Sequence, residues 1–405
     1  MQHRLATVFI VVTLLIDGIG VGLIFPVMPD LIREVTGRAL ADAAIWGGVL
    51  ATGYALMQFF FGPLVGNLSD RFGRKPVLIS ALLVLCVDYL IMAVAGTIWL
   101  LLIGRLVAGM TAATHSTASA YMADISAPED RERNFGLVNA AIGIGFALGP
   151  VIGGMLAGID TRAPFYAAAI LAGANAIFGI LVMPESLPKT KRRKFTLARV
   201  NPFAAFRAIG SLRGVAPLLV VFGLYEVAFF VYPAIWAFYG QELFGFDARM
   251  IGFTLFAFGL AMGVAQAFMI GPLTKLLGGY RVAIAAMVVD IVAFALFGFT
   301  TSVVVVWILT VSTGIASIAM PAVQAILSRA TPEDQQGEMQ GVLGAIAALA
   351  TIVSPLVMTE IFAIFSRDTA PIYLPGAPFL LSCVLTIICV ALLMSWRRGV
   401  GANLR

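Results

Sequence analysis

Twelve long apolar runs dominate this chain of 405 residues and restrict it to a fold inside a lipid bilayer. A bilayer core about 30 Å thick is crossed by about 20 apolar helical residues. The runs cover residues 7–29, 44–66, 76–96, 98–122, 135–158, 163–183, 214–236, 250–272, 281–301, 303–328, 340–365 and 373–395. The sequence therefore predicts an all-α membrane protein with twelve transmembrane helices in two six-helix bundles.

The composition excludes several classes of protein. Only 12% of the residues are charged and 60% are hydrophobic, whereas about a quarter of a soluble chain is charged. This balance argues against a soluble enzyme, a disordered protein and an ordinary nucleic-acid binder. Three cysteines without a CxxC pair and two histidines provide no disulfide framework and no metal site, and we expect no cofactor.

The basic residues predict the orientation in the membrane. With both termini in the cytoplasm, the cytoplasmic segments hold 20 of the 26 Lys and Arg residues and the outer loops hold five. The remaining one, Arg105, lies inside a run. The positive-inside rule therefore favours this topology. The residues before the first run are too few for a signal peptide, so we expect that run to remain as a span.

One long polar segment, residues 184–213, divides the chain into a bundle at 1–183 and a bundle at 214–405. Its cluster Lys191-Arg192-Arg193-Lys194 is basic enough to bind anionic lipid headgroups or nucleic acid. The interpretation we favour from sequence is a solvated linker that is basic because it lies in the cytoplasm.

The two bundles carry signs of a duplication. Gly62-Pro63-Leu64 recurs as Gly271-Pro272-Leu273, 209 residues later, and the same offset relates Asp17 to Glu226. A shorter offset of 205 relates Gly73 to Gly278 and brings Asp88 within three residues of Asp290. Parallel six-helix repeats around a site near the midplane are a transporter architecture.

Five ionisable residues lie well inside the predicted spans: Asp17, Asp88, Arg105, Glu226 and Asp290. Each costs at least about 2.5–3.5 kcal/mol at the centre of a bilayer, so each needs a partner, water or a proton. Pairing of Arg105 with Asp17 or Asp88 is the structural alternative. One base cannot neutralise four acids, so we expect Asp17, Asp88, Glu226 and Asp290 to take part in proton coupling.

Polar and aromatic side chains in the spans predict an amphipathic substrate. The amides are Gln58, Gln266 and Gln324, and the aromatic candidates include Tyr54 and Tyr225. Helix packing or lipid contact explains an aromatic stripe equally well, and both interpretations stay open at this stage.

A segment after the second run has a specific pattern, Gly66-Asn-Leu-Ser-Asp70-Arg71-Phe-Gly73-Arg74-Lys75-Pro76. It resembles the signature between helices 2 and 3 of the major facilitator superfamily. The fifth run, with GFALGPVIGG, is similar to that superfamily's antiporter motif. Further segments along the chain resemble the tetracycline–proton antiporters, among them Asp17-Gly-Ile-Gly, Tyr54-Ala-Leu-Met-Gln58, Gly104-Arg105-Leu and Pro321-Ala-Val-Gln324.

This resemblance implies roles for individual residues. Asp17, Asp88, Arg105 and Asp290 match residues that handle protons and substrate, and the three glutamines match cavity-lining positions. Gly66, Asp70, Arg71, Gly73 and Arg74 match a cytoplasmic gate, in which the aspartate is expected to face the N-terminus of helix 11. Two residues depart from the pattern, because Met262 replaces a histidine and Glu226 has no acidic counterpart.

From these observations we expect a proton-coupled transporter that exports tetracycline-like or other amphipathic drugs by alternating access. Arg105, Gln58, Gln266, Gln324, Tyr54, Tyr225 and Met262 are the predicted substrate-binding residues. The alternative is transport of a small metabolite such as a sugar or amino-acid derivative, and no nucleophile–base pair favours an enzyme. We expect a monomer in the bacterial inner membrane whose partners are the substrate, protons and the lipid bilayer, with no nucleic acid.

Overall fold

The structure is a computed structural model that describes residues 2–112, 114–196, 200–210 and 212–399. Nearly all of these residues are helical, and none of them forms a β-strand. The basic residues Arg199 and Arg405, counted above as cytoplasmic, lie outside the described ranges.

Twelve helical segments in the described part of the chain are long and apolar enough to cross a membrane, which confirms the predicted number. Spans 1 to 12 are Leu5–Ile24, Leu40–Phe72, Arg74–Val94, Ile98–Ile125, Pro128–Ala157, Ala163–Val182, Ala216–Phe244, Ala248–Leu277, Gly279–Phe299, Val303–Ala330, Glu333–Ser366 and Ala377–Arg398. The helix that contains span 1 begins at Gln2.

Span 1 ends earlier than its apolar run. The helix stops at Ile24, a turn follows at residues 25–27, and a short helix occupies Met28–Thr36. Pro26 explains this boundary, because proline has no N–H to donate and disfavours helical geometry at Phe25 before it. The apolar run predicted one helix to residue 29, and that end was wrong by five residues.

Four spans contain an irregular segment in their interior. Span 4 consists of helices Ile98–Thr111 and Thr114–Ile125, and span 10 of Val303–Ala316 and Ala319–Ala330. Span 7 divides into Ala216–Phe229 and Val231–Phe244. Span 8 runs from Ala248–Val264 through a π-helical turn at Ala265–Met269 to Ile270–Leu277. Short 3-10 segments lie at Pro128–Asp130, Lys189–Lys191, Pro202–Gly210, Arg213–Val215 and Glu333–Gln335.

The connection between spans 2 and 3 is a single glycine. Span 2 continues to Phe72 and span 3 begins at Arg74, so Gly66, Asp70 and Arg71 lie on a helix. This corrects the expectation that they belong to a loop. Gly73 has φ 110° and ψ 161°, a conformation that favours glycine, and this one residue therefore makes the reversal between two helices.

The duplication has an offset near 205 along the whole chain. Gly73 and Gly278 both have positive φ, and the breaks in spans 4 and 10 lie 205 residues apart. Gly109 contacts Tyr54 and Met57 of span 2, and Gly314, 205 residues later, contacts Phe258 and Ala261 of span 8, which lie 204 residues after the first two.

Span 1 follows the same register. A Cβ at Gly18 would contact Ile142 of span 5, and a Cβ at Gly223 would contact Ile346 of span 11. Glu226 is therefore equivalent to Val21, one helical turn beyond Asp17. The 209-residue match of Gly-Pro-Leu is not the structural register, because it is out of step with these contacts.

The helices form two compact units that exchange the first parts of spans 2 and 8. The first unit is Met1–Ala39, Gly53–Pro202 and Asp247–Phe256, and the second is Leu40–Thr52, Phe203–Phe246 and Ala257–Arg405. The predicted boundaries at 183 and 214 stay a prediction.

Specific contacts hold each exchanged segment within its unit. In the second unit, Thr52 donates a hydrogen bond to the Ile352 carbonyl (2.8 Å) and Arg367 pairs with Asp42 (2.9 Å). In the first unit, Gly252 packs against the Pro150 carbonyl.

Each unit has its own apolar core. In the first unit, Phe9, Leu78, Tyr121 and Val138 are among the buried side chains that join spans 1, 3, 4 and 5. In the second unit, a larger cluster joins spans 7, 9, 10, 11 and 12. These cores fix the helices that carry the in-span charges.

We predict that Gly109→Ala destabilises the protein by about 1–3 kcal/mol, because its new Cβ would overlap the carbonyl oxygen of Tyr54. Gly143→Ala is the matched control, since a Cβ there meets no atom within 4 Å. That control is expected to be neutral or to stabilise by up to about 1 kcal/mol through helix propensity. Thermal unfolding in detergent measures both changes, and equal effects would contradict the close packing at Gly109.

Candidate functional site

In the first unit, Arg105 and Asp88 form a buried ion pair. Asp88 on span 3 is 1% exposed, and its Oδ2 atom pairs with the Arg105 guanidinium on span 4. The neighbouring Gly104 makes room for this carboxylate, since a Cβ there would lie 2.9 Å from Asp88 Oδ1. The single in-span base is therefore already compensated by one acid.

Tyr54 and Tyr89 connect this pair to Asp17. The Arg105 guanidinium lies 5.6 Å from the centroid of the Tyr54 ring, a cation–π distance. Asp17 interacts electrostatically with both Tyr54 and Tyr89. Its carboxyl group is partly exposed and has no ion pair or hydrogen bond within the described ranges. The first unit therefore brings together four of the predicted residues, Asp17, Tyr54, Asp88 and Arg105.

Gln58 serves the interruption in span 4. Its Nε2 donates a hydrogen bond of 3.1 Å to the carbonyl oxygen of Ala112, where the first helix of that span ends. The last carbonyls of a helix lack partners within the helix, so this amide satisfies one of them. Gln58, which is predicted to bind substrate, therefore uses one of its amide N–H groups in a contact between spans 2 and 4.

In the second unit, Asp290 has a hydroxyl partner instead of a cation. Its Oδ2 accepts a hydrogen bond of 2.5 Å from the Tyr225 hydroxyl. Its Oδ1 has no hydrogen-bond partner, and no ion pair reaches this fully buried residue from the described part of the chain. An isolated charge is very costly in such surroundings, so we expect Asp290 to hold a proton there.

Most aromatic side chains of span 7 are packed in the interior. Tyr232 contacts the rings of Phe258, Phe294 and Phe379 at centroid distances of 5.1–5.8 Å, and Trp236 packs on Phe297 at 5.5 Å. Tyr225, Tyr232 and Trp236 are all at most 4% exposed. These three aromatic side chains are therefore packed in the interior of the second unit. Tyr225 as a substrate-binding residue stays a prediction.

The other predicted residues of the second unit lie near its surface. Glu226 and Met262 are partly exposed, and Gln266 and Gln324 are exposed. Gln266 belongs to the π-helical turn, a feature often found at functional sites. The register shift places Glu226 one turn away from the position equivalent to Asp17, so sequence pairing of these two acids was wrong.

The motif at the junction of spans 2 and 3 forms a charge network centred on Arg74. Its guanidinium pairs with Asp70 (2.7 Å) and Asp124 (3.2 Å) and donates to Ser69 Oγ (3.1 Å). Arg71 instead lies exposed over the Phe72 ring, with 5.1 Å to the centroid. The proposed contact of Asp70 with the N-terminus of helix 11 stays a prediction.

Sequence reasoning missed two acids of this region. Asp124 at the inner end of span 4 contacts Arg74, and Glu185 just after span 6 accepts hydrogen bonds from the Arg74 and Lys75 amides. Both acids directly follow an apolar run and lie beside a basic segment, and this pattern is the sequence signal that could have identified them.

Comparison with known proteins gives a consistent result. A family model described as Major Facilitator Superfamily matches residues 10–247 and 227–402. The chain is 40% identical to the tetracycline resistance protein, class C, of Escherichia coli over 98% of both chains. It is 36% identical to the class G protein of Vibrio anguillarum over 93% of this chain and 94% of that one.

A solved structure shares the fold. The human organic anion transporter MFSD10 aligns with a TM-score of 0.70 and 21% identity, over 96% of this chain and 99% of that one.

We predict that Asp88→Asn and Asp290→Asn differ in their effect on stability. Asp88→Asn leaves the Arg105 charge buried without its partner, which costs about 3–5 kcal/mol. Asp290→Asn replaces a protonated acid by a neutral amide that still accepts the Tyr225 hydroxyl, so the change stays below about 1 kcal/mol. Thermal unfolding near neutral pH provides the measurement. A larger loss for Asp290→Asn would mean that this carboxyl is ionised.

Proposed function

The chain belongs to the Major Facilitator Superfamily, and we propose that it is a proton-coupled exporter of tetracycline-like or other amphipathic drugs. The near full-length relatives at 40% and 36% identity, both named as tetracycline resistance proteins, support the substrate class. The observation that carries the coupling is that three in-span carboxyl groups form no ion pair with any residue that the structure describes, namely Asp17, Glu226 and Asp290.

The buried charges divide into a fixed pair and exchangeable acids. Asp88 and Arg105 neutralise each other, so this pair stays ionised, and we assign Arg105 to substrate binding through its contact with the Tyr54 ring. Asp17 is partly exposed and lies beside two tyrosines, a setting in which it can be reached by water and by a cationic substrate group. A proton and a cation that compete for one carboxylate are coupled, because binding of one releases the other.

Proton entry supplies the free energy for export. A pH difference of one unit provides about 1.4 kcal/mol per proton. A membrane potential of about 100 mV adds about 2.3 kcal/mol for each net charge that moves inward. One proton exchanged for one drug cation moves no net charge, so a pH difference of one unit drives a concentration ratio of about tenfold. A drug that leaves without net charge also gains the contribution of the potential, and the ratio then reaches several hundredfold, about 500.

Four side chains of the second unit are candidates for determining which substrate binds. Met262 provides a flexible apolar side chain, and Glu226 adds an acid. Gln266 and Gln324 have exposed amides in this unit. We assign these four side chains to substrate recognition, with a preference for drugs that combine an apolar ring system with an amine.

The cytoplasmic network of Asp70, Arg71 and Arg74, together with the turn at Gly73 and with Gly66, is assigned to gating. We place the protein in the bacterial inner membrane with both termini in the cytoplasm, as the distribution of basic residues favours. Both sets of acids lie in one chain, so we propose that a monomer carries the whole pathway, without catalytic chemistry and without nucleic acid.

The first test is a resistance panel in a bacterium without its own drug pumps. Expression is expected to raise the inhibitory concentration of tetracyclines at least severalfold. It should leave strongly anionic drugs unchanged, since those find no compensating charge beside Glu226. Protection against toxic sugar analogues or amino-acid analogues, without protection against tetracyclines, would overturn the proposed substrate class.

The second test addresses coupling directly. In vesicles with an imposed pH gradient, Asp17→Asn should abolish gradient-driven drug movement, because the amide cannot exchange a proton. Glu129→Gln is the matched control, since Glu129 is an exposed acid outside the site. Drug and internal pH are recorded together. Undiminished pumping by Asp17→Asn would assign the proton to Asp290 or Glu226.

A further inference from the structure

The segment after span 6, residues 184–196, is ordered against the first unit and is called the strap below. Its Glu185 carboxylate accepts hydrogen bonds from the backbone amides of Arg74 (2.8 Å) and Lys75 (3.2 Å), the first two residues of span 3. A carboxylate at a helix N-terminus is stabilised by the unpaired amides and by the helix dipole. Glu185 thus fixes the first end of the strap.

The second end of the strap is fixed by two further hydrogen bonds. The Arg193 amide donates to the Asp70 carbonyl (3.1 Å), and Asn67 Nδ2 donates to the Thr196 carbonyl (2.9 Å). Both partners lie on the last turns of span 2. The sequence favoured a solvated linker over residues 184–213, and over residues 184–196 the structure shows a docked segment instead.

The docked strap presents a row of positive charges. Lys189, Lys191, Arg193 and Lys194 are exposed, and the sequence contains no acid between Ser186 and Asn201. None of these four side chains forms an ion pair with another described residue. Docking therefore leaves four charges uncompensated on one short stretch of chain.

The position of the strap indicates which anionic partner is within reach. Span 6 ends at Val182 and span 3 begins at Arg74, so the strap starts two residues beyond one membrane helix and caps another. Basic residues next to the cytoplasmic end of a span are attracted by the negative lipids of that leaflet. A nucleic acid would need a longer basic surface that extends away from the membrane.

We propose that the strap is a binding surface for the headgroups of anionic phospholipids. Lipid phosphates contact Lys189, Lys191, Arg193 and Lys194, while Glu185 and the backbone keep the strap on spans 2 and 3. Bound lipid opposes the detachment of the strap and so helps to hold the turn at Gly73. This inference goes beyond the transport proposal and does not depend on it.

The test measures lipid binding to the full-length protein in detergent. Native mass spectrometry follows titration with dioctanoyl phosphatidylglycerol and, separately, with dioctanoyl phosphatidylcholine. The unmodified protein should bind the anionic lipid at least tenfold more tightly than the zwitterionic one. The variant K189Q/K191Q/R193Q/K194Q should lose that preference, and its unfolding temperature should stay unchanged because Glu185, Asn67 and the strap backbone are retained.

A second variant controls for net charge. K275Q/R281Q/R329Q/R398Q removes four exposed cytoplasmic charges from the other half of the chain and should keep the lipid preference. Retention of the preference by the strap variant, or its equal loss in both variants, overturns the proposal. Displacement of the lipid by a short RNA at lower concentration also overturns it. No transport is measured, so failure of the drug-export proposal leaves this result unaffected.

Discussion

The buried ion pair of Arg105 and Asp88 determines how the other in-span acids are understood. The Arg105 guanidinium pairs with a carboxylate that is 1% exposed, and no second Lys or Arg lies well inside an apolar run of the sequence. Asp17, Glu226 and Asp290 must therefore be stabilised in the low dielectric by water, by a hydroxyl partner or by protonation. In the proposed mechanism the Asp88–Arg105 pair keeps its charges while the other acids gain and lose protons, so that charge moves and the helix bundle stays intact.

The number of spans was predictable because membrane crossing is a local requirement. About 20 apolar residues are needed for each helix, and this count can be made without knowing any tertiary contact. Helix interiors were harder to predict. The breaks in spans 4 and 10 depend on partners such as Gln58, which satisfies the Ala112 carbonyl from another helix, and no local pattern marks such a contact.

The candidate site was predicted in part for the same reason. Its acids and Arg105 were evident, since a charge in an apolar run is conspicuous, but their pairing was not. Sequence left Arg105 with either Asp17 or Asp88, and only packing around Gly104 decides between them. The Gly-Pro-Leu repeat does not mark the structural register, because three matching letters carry less information than the helix contacts at Gly18 and Gly223.

The exchange of segments between the two compact units has a consequence for assembly. Leu40–Thr52 belongs to the second unit and Asp247–Phe256 to the first. Each unit therefore includes one segment whose neighbours in the sequence belong to the other unit. A six-helix half made alone would leave one donated helix end without its acceptor and one acceptor surface unfilled. In the first unit, the contact of Gly252 with the Pro150 carbonyl therefore forms only after the chain has been synthesised past its midpoint.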